Sequence, residues 1–380
     1  MKRRRRTTGG HGTGYAVMEL LVLILLISIV VSGWIVLPSG IWPFSNQKQP
    51  TVSQQATESN SDSLSNSSED SLYHWVYSQV EQGKQIVSFT ADSMELAQET
   101  LKNILRQPEF FWLDSYTLTS TAAGDFEARF EFKYDDPQSL RRQVEQVTQE
   151  ALACIPQEAG DYEIALTLHD WLCDHIQYDF SEDRSDQDIY GALVNGRCVC
   201  AGYSAAYEYL LRRAGVEAAT VEGTAGVEEP PEPHAWTKLV LEGDVYYTDI
   251  TWDDQEEHPN GHVYSWFAVT SAFMGKSHFV DGDSEDEMPP STAVSCNYYV
   301  RNGYMLELFS IQRVEEIFSS QTGNLLMIAA ADEDIFKQLY ALADDAQEMN
   351  ALLSRTGHPC QQYVIYSSPG SLSLDVFINS

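Results

Sequence analysis

The sequence predicts a mixed α+β protein in which a central domain is flanked by two small α+β modules and preceded by one transmembrane helix. Three observations predict it. A single long apolar run lies near the start of the chain. An order of strand, helix and hairpin occurs once before the centre and once after it. At the centre, a cysteine heads an apolar helical stretch and is followed by a hairpin pattern carrying a histidine and an aspartate.

Composition sets the outer bounds. With 43% hydrophobic and 11% aromatic residues, the chain can bury enough apolar surface to offset its conformational entropy, so most of it is expected to fold. Of 23 basic residues, five are Lys2, Arg3, Arg4, Arg5 and Arg6; the remaining 18 face 56 acids. A surface of that sign repels phosphate backbones, and no basic stripe is present, so nucleic acid is excluded as a partner. The six cysteines (154, 173, 198, 200, 296 and 360) show neither CxxC pairs nor Cys/His zinc spacing. No metal or cofactor is expected, and the sequence assigns no disulfide.

Residues 1–14 form a basic leader expected on the cytoplasmic side. Residues 15–37 include about 20 predominantly apolar residues, enough to cross about 30 Å of hydrocarbon at 1.5 Å per residue. The arginines before the run resist translocation, which places the bulk of the protein outside the cytoplasm, tethered as a single-pass membrane protein. A cleaved signal peptide is the alternative, although its apolar region would be only about 7 to 15 residues. A third alternative comes from Gly14-Tyr15-Ala16-Val17-Met18-Glu19-Leu20-Leu21, which resembles a type IV prepilin processing site and would imply a prepilin-like assembly, with Glu19 near the new amino terminus. Pro38, Gly40 and Pro43 oppose it, because a pilin continues as one long helix.

Residues 38–72 are expected to be a flexible tether, since 45–71 are almost all Ser, Asn, Gln, Thr, Asp and Glu. The N-terminal α+β module, 73–155, reads as a strand at Gln85–Phe89, a helix at Met94–Leu105 and a hairpin turning at Ala123-Gly124-Asp125. Alternate apolar residues at Phe126, Ala128, Phe130 and Phe132 fit one buried sheet face. A helix follows Pro137, and another begins at Asp161 with Ile164, Leu166, Leu168, Trp171 and Leu172. The C-terminal module, 302–380, repeats the order: strand Leu325–Ala330, helix Ile335–Leu353 and hairpin Tyr363–Ile378, and is expected to duplicate the first module's topology.

The central domain, 156–301, carries the chemistry. A cysteine nucleophile needs thiolate character, which a helix N-terminus and a neighbouring imidazole favour. Gly196-Arg197-Cys198-Val199-Cys200-Ala201-Gly202-Tyr203 runs from a turn into a helix that starts at Cys200 and continues to Arg213. Ala201 and Gly202 leave room for a substrate, and first-turn amides can polarise an acyl oxygen. Cys198, two residues earlier, points elsewhere. His234 opens a strand through Leu241, a hairpin turns at Glu242-Gly243-Asp244, and a return strand from Val245 to Trp252 brings Asp249 near His234. There the carboxylate can fix the imidazole tautomer and stabilise the imidazolium, completing a Cys-His-Asp relay.

Cys-x-Gly-Tyr ahead of a helix, His-Ala-Trp on a strand and Tyr-x-Asp-x-Thr-Trp-Asp-Asp on its partner resemble the bacterial transglutaminase-like superfamily. The likeness covers roughly 161–301, with Tyr190-Gly191-Ala192-Leu193 upstream and Asn297-Tyr298-Tyr299 downstream. It implies a papain-like core in which Cys200, His234 and Asp249 are nucleophile, base and orienting acid. The expected function is thiol-dependent acyl transfer on protein or peptide amides of the envelope, ending in transamidation or hydrolysis. The alternative is a non-catalytic binding or scaffolding module that retains the fold.

Trp236, Trp252 and Tyr203 flank the motif residues and are candidate substrate contacts, although tryptophans on strands also serve as core. His258, His262 and His278 lack metal-ligand spacing and are expected at the surface. The acidic run Asp281–Glu287 lacks the EF-hand pattern and reads as a solvated loop, with calcium a minor option.

Overall fold

Side-chain caps set the element boundaries in the N-terminal part of the protein. Ser93 is extended and accepts a hydrogen bond from the Leu96 amide, which starts the helix Met94–Leu105. Asp136 does the same for Pro137–Leu152, where proline occupies the first turn at no hydrogen-bonding cost. The strands Ile86–Thr90, Leu113–Ala122 and Asp125–Phe132 form an antiparallel sheet in which Ile86–Thr90 pairs with the second hairpin strand. Phe126, Ala128 and Phe130 point into the core while Arg129 and Glu131 face solvent, which follows from the period of two.

The computed structural model describes residues 4–7, 51–54, 69–122, 124–181, 187–226, 230–280, 288–367 and 370–379. The apolar run at 15–37, Glu19 and the acidic run at 281–287 lie outside them. Among the described residues no helix is long and apolar enough to cross a membrane.

The chain divides into two compact units, one of residues 46–298 and one of residues 299–380 with the N-terminal 45 residues. The module around 73–155 is therefore not separate from the central domain. Phe111 stacks on Tyr190 at 6.1 Å, Arg213 makes a two-pronged pair with Glu145 at 2.7 and 2.9 Å, and Lys133 reaches Asp188 at 3.5 Å.

The centre of this unit is a four-stranded antiparallel sheet ordered Asp244–Thr248, Glu232–Leu241, Ala218–Ala225, His278–Val280. The helices Cys200–Arg213 and Asp161–His175 pack over it. Trp236, Tyr247, Trp266, Val221, Val269 and Met274 form its buried apolar cluster. The strand expected to run from Val245 to Trp252 stops at Thr248. Asp249 there accepts from the Trp252 amide and caps a helical turn at Ile250–Asp253, because a side-chain acceptor at that point satisfies the amide that the ladder would otherwise need.

In the second unit, Leu325–Ala330 pairs antiparallel with Ser373–Asn379, which forms a hairpin with Gln362–Tyr366. This is the arrangement of Ile86–Thr90 and its hairpin, so the two modules share strand order and direction. The expected helix 335–353 is two helices, Glu333–Asp344 and Ala346–Arg355. Asp345 leaves helical geometry and its carboxylate accepts from Gln347 and Glu348 amides, which ends one helix and starts the next.

Candidate functional site

The helix that carries Cys200 begins at Cys200 itself. Two short parallel strands, Gln177–Tyr178 and Arg197–Cys198, lead into it, and Val199, the N-cap residue, offers no side-chain acceptor. The positive end of the helix dipole is left without a side-chain cap, and Cys200 is the first residue of that end.

Cys198 and Gly202 form a contact that explains the glycine. A Cβ at Gly202 would lie 2.5 Å from Cys198 Cβ and 2.6 Å from its sulfur. Gly202 therefore faces inward onto Cys198 and does not make room for substrate, contrary to the expectation from sequence. Gly202→Ala is expected to lower stability by about 1–3 kcal/mol through overpacking, checked by thermal denaturation.

His234 lies on the strand Glu232–Leu241, and its Nε2 is 2.8 Å from Asp249 Oδ2. His234 is also hydrogen-bonded to Cys200, and with Nε2 turned to Asp249 the other ring nitrogen is the one left for the thiol. An ionised carboxylate only accepts, so Nε2 carries a proton toward Asp249 and Nδ1 serves the thiol. Burial alone would lower the His234 pKa; the Asp249 charge and hydrogen bond, with the Cys200 hydrogen bond, raise it to about 10. Burial likewise would raise the Asp249 pKa, yet His234 and then His278 hold it well below the usual carboxylate range. The three side chains are brought together in a largely enclosed site, with Cys200 5% and His234 8% exposed.

Two proposed substrate contacts are corrected. Tyr203 is fully buried and its hydroxyl donates to Asp254 and toward the Ile176 carbonyl, so it secures the underside of the helix. Trp236 is fully buried in the apolar cluster, with its ring 5.0 Å from His278. Trp252 remains at the site, half-buried, with its ring 5.7 Å from His234.

His258, His262 and His278 are all buried rather than at the surface. His262 meets Tyr264 and Asp170, and His258 accepts from the Asn260 amide. His278 is the residue that sequence reasoning missed, with its Nε2 3.0 Å from Asp249 Oδ2. His234, Asp249 and His278 place their ligand atoms within 4.8 Å of one another, a spacing that a metal ion would also satisfy. Hydrogen bonds already account for it, since two ring N–H groups point at one carboxylate oxygen and the Trp252 amide at the other.

A second buried polar group lies nearby. His169 Nε2 is 3.3 Å from Asp253 and its Nδ1 is 3.0 Å from Asp170, while the Trp266 amide donates to both Asp253 oxygens. A cleft of about 600 Å³ opens at the other end of the Cys200 helix, lined by Tyr77, Phe110, Arg141, Arg142, Arg212 and Arg213 among others. It contains neither cysteine nor histidine, so the thiol chemistry is not there.

Residues 146–267 match the family model of the transglutaminase-like superfamily, and the chain carries a domain of that superfamily. The kyphoscoliosis peptidase of Mus musculus is 29% identical over 160 residues, covering 37% of this chain and 24% of that protein. Its Homo sapiens counterpart is 31% identical over 160 residues with the same coverage. The chain thus spans about a quarter of the length of these curated relatives. A solved structure described as a TGase is similar over 43% of this chain and 50% of that one, at 12% identity and a TM-score of 0.26.

Proposed function

We propose that the transglutaminase-like domain performs thiol-dependent acyl transfer on protein or peptide amides, with Cys200 as nucleophile, His234 as base and Asp249 as orienting acid. Proteins of this superfamily are generally cysteine peptidases or acyltransferases, and the sequence match supports that class for this domain. The observation that carries the residue assignment is the continuous chain Cys200, His234, Asp249 at the N-terminus of a helix without a side-chain cap.

In the proposed reaction Cys200 and His234 stand as a thiolate–imidazolium pair, with the thiol proton already on His234, and the sulfur adds to the amide carbonyl. First-turn amides receive the developing oxyanion, and the tetrahedral adduct collapses as His234 returns the proton to the leaving amine. The C–N bond breaks and a thioester remains on Cys200. Water or a second amine then releases the acyl group, which makes the product an acid or a new amide. The printed name of the two mammalian relatives favours hydrolysis. The leader and apolar run at 1–37 support the reading that these substrates lie outside the cytoplasm.

The test is iodoacetamide labelling of the full-length chain from pH 5 to 9, with labelled sites read by mass spectrometry. Cys200 is expected to label fastest, to do so well below pH 8, and to slow at least about 100-fold in His234→Ala. A Cys200 that labels slowly with an ordinary thiol profile would replace the enzyme reading with a binding module that keeps the fold.

A further inference from the structure

His278 occupies a position that the proposed triad does not require. It begins the three-residue strand His278–Val280 at the sheet edge, and its ring is enclosed by Trp252 at 4.5 Å, Trp236 at 5.0 Å and Trp266 at 5.2 Å, measured between ring centres. The charged and titratable groups that bear on it are Asp249 and His234; otherwise it meets the Ser277 hydroxyl and the Met274 carbonyl. Its Nε2 lies 3.0 Å from Asp249 Oδ2, the same oxygen that is 2.8 Å from His234.

The proton positions on this ring follow from its partners. Ionised Asp249 cannot donate, so Nε2 of His278 must carry a proton. Burial outweighs the attraction of Asp249 and lowers the His278 pKa, leaving a neutral ring. Nδ1 is then a lone pair, and the Ser277 hydroxyl, 3.0 Å away, donates to it.

The backbone is also built for this approach. Gly223 pairs with His234 on one side and Val280 on the other. A Cβ there would lie 2.1 Å from the Phe279 carbonyl oxygen and 2.9 Å from Val280 Cα. Only a glycine lets the His278 strand come close enough for its ring to reach Asp249.

We propose that His278 is a positioning residue. It holds Asp249 ionised and in place with a second hydrogen bond, and by sharing Oδ2 it limits how firmly His234 retains its proton. The proposal rests on the triad reading above and adds to it a fourth residue that acts through Asp249. A carboxylate with one donor concentrates its charge on that donor; with two, the charge is divided. His278 thus keeps His234 able to give its proton to a leaving amine.

The experiment is the pH profile of Cys200 alkylation by iodoacetamide in the full-length chain, from pH 5 to 11, in wild type and in His278→Phe, His278→Gln and Ser277→Ala. The upper inflection reports loss of the His234 proton. In His278→Phe it is expected to move up by about half a pH unit or more, because the competing donor is gone. His278→Gln, whose amide N–H can reach the same oxygen, is expected to return most of the way to wild type. Ser277→Ala keeps the ring but frees its proton to move to Nδ1 beside the Met274 carbonyl, and should move the inflection in the same direction. It also serves if His278→Phe does not fold.

Superimposable wild-type and variant profiles, or a His278→Gln profile no closer to wild type than His278→Phe, would overturn the proposal and leave the triad reading standing. An ordinary single-inflection thiol profile in wild type would remove both.

Discussion

Asp249→Ala is expected to destabilise the unit of residues 46–298 by about 3–5 kcal/mol and to abolish selective labelling of Cys200. Asp249 is almost fully buried and takes hydrogen bonds from His234, His278 and the Trp252 amide. Removing it leaves two imidazole N–H groups and a backbone amide without their acceptor among tryptophan rings, where water cannot replace it. Asp249→Asn separates fold from chemistry. It preserves shape and an acceptor and should cost less stability, yet it no longer selects the His234 tautomer or supports its charge. Reactivity of Cys200 should fall by about a thousandfold or more. Thermal denaturation and alkylation rates on the same samples check both; an Asp249→Asn chain that labels Cys200 at the wild-type rate would refute the orienting role.

Stability of the same unit is expected to fall as the pH rises from about 6.5 to 9. His169 and His234 have folded pKa values raised to about 9 and about 10 by their carboxylate partners, against the opposing effect of burial. The folded state therefore holds protons in this window that the unfolded state has released. Their contribution is complete below the unfolded value near 6.5 and is lost as the pH climbs through the folded values, at up to about 1.4 kcal/mol per pH unit for His169 and less for His234, whose proton is offset by the one that the unfolded Cys200 thiol keeps to about pH 8.5. Burial raises the Asp253 pKa to about 7, which adds a decline in the same direction from about pH 4 to 7. Asp249 acts oppositely: its folded pKa is depressed, so its contribution is present above about pH 4 and fades on acidification. Urea titrations followed by tryptophan fluorescence suit the measurement, because six of the eight tryptophans lie within residues 46–298 and none follows residue 298. Constant or rising stability between pH 6.5 and 9 would contradict the buried His–carboxylate pairs.

Several elements were legible in the sequence because their signals are local. The helical run Met94–Leu105, the proline that opens the next helix and the alternation of Phe126, Ala128 and Phe130 each act within a few residues, and the structure has the corresponding helices and buried strand face. The Cys200 helix and the His234 hairpin belong to the same class, with the turn at Glu242-Gly243 adopting the left-handed backbone that a glycine favours. Where local reading failed, a side-chain acceptor had interrupted a regular element: Asp249 ended a strand four residues early, and Asp345 divided a helix.

Side-chain direction was a different matter. Tyr203 and Trp236 stand next to motif residues in sequence, but what packs around them in the fold decides whether they are open to substrate, and both are fully buried. Gly202 read as an opening toward substrate until the position of Cys198 gave it another partner.

The sequence by itself determined the class of fold, the helix start at Cys200 and the strand that carries His234, since periodicity, capping and turn chemistry are properties of neighbouring residues. Only the tertiary structure decided that His278 joins the site. It is 44 positions after His234, on a strand three residues long with no period to reveal it, and it reaches Asp249 because a sheet edge closes over Gly223. A hydrogen bond is selected by distance in space, and no pattern along a chain encodes that distance until the chain has packed.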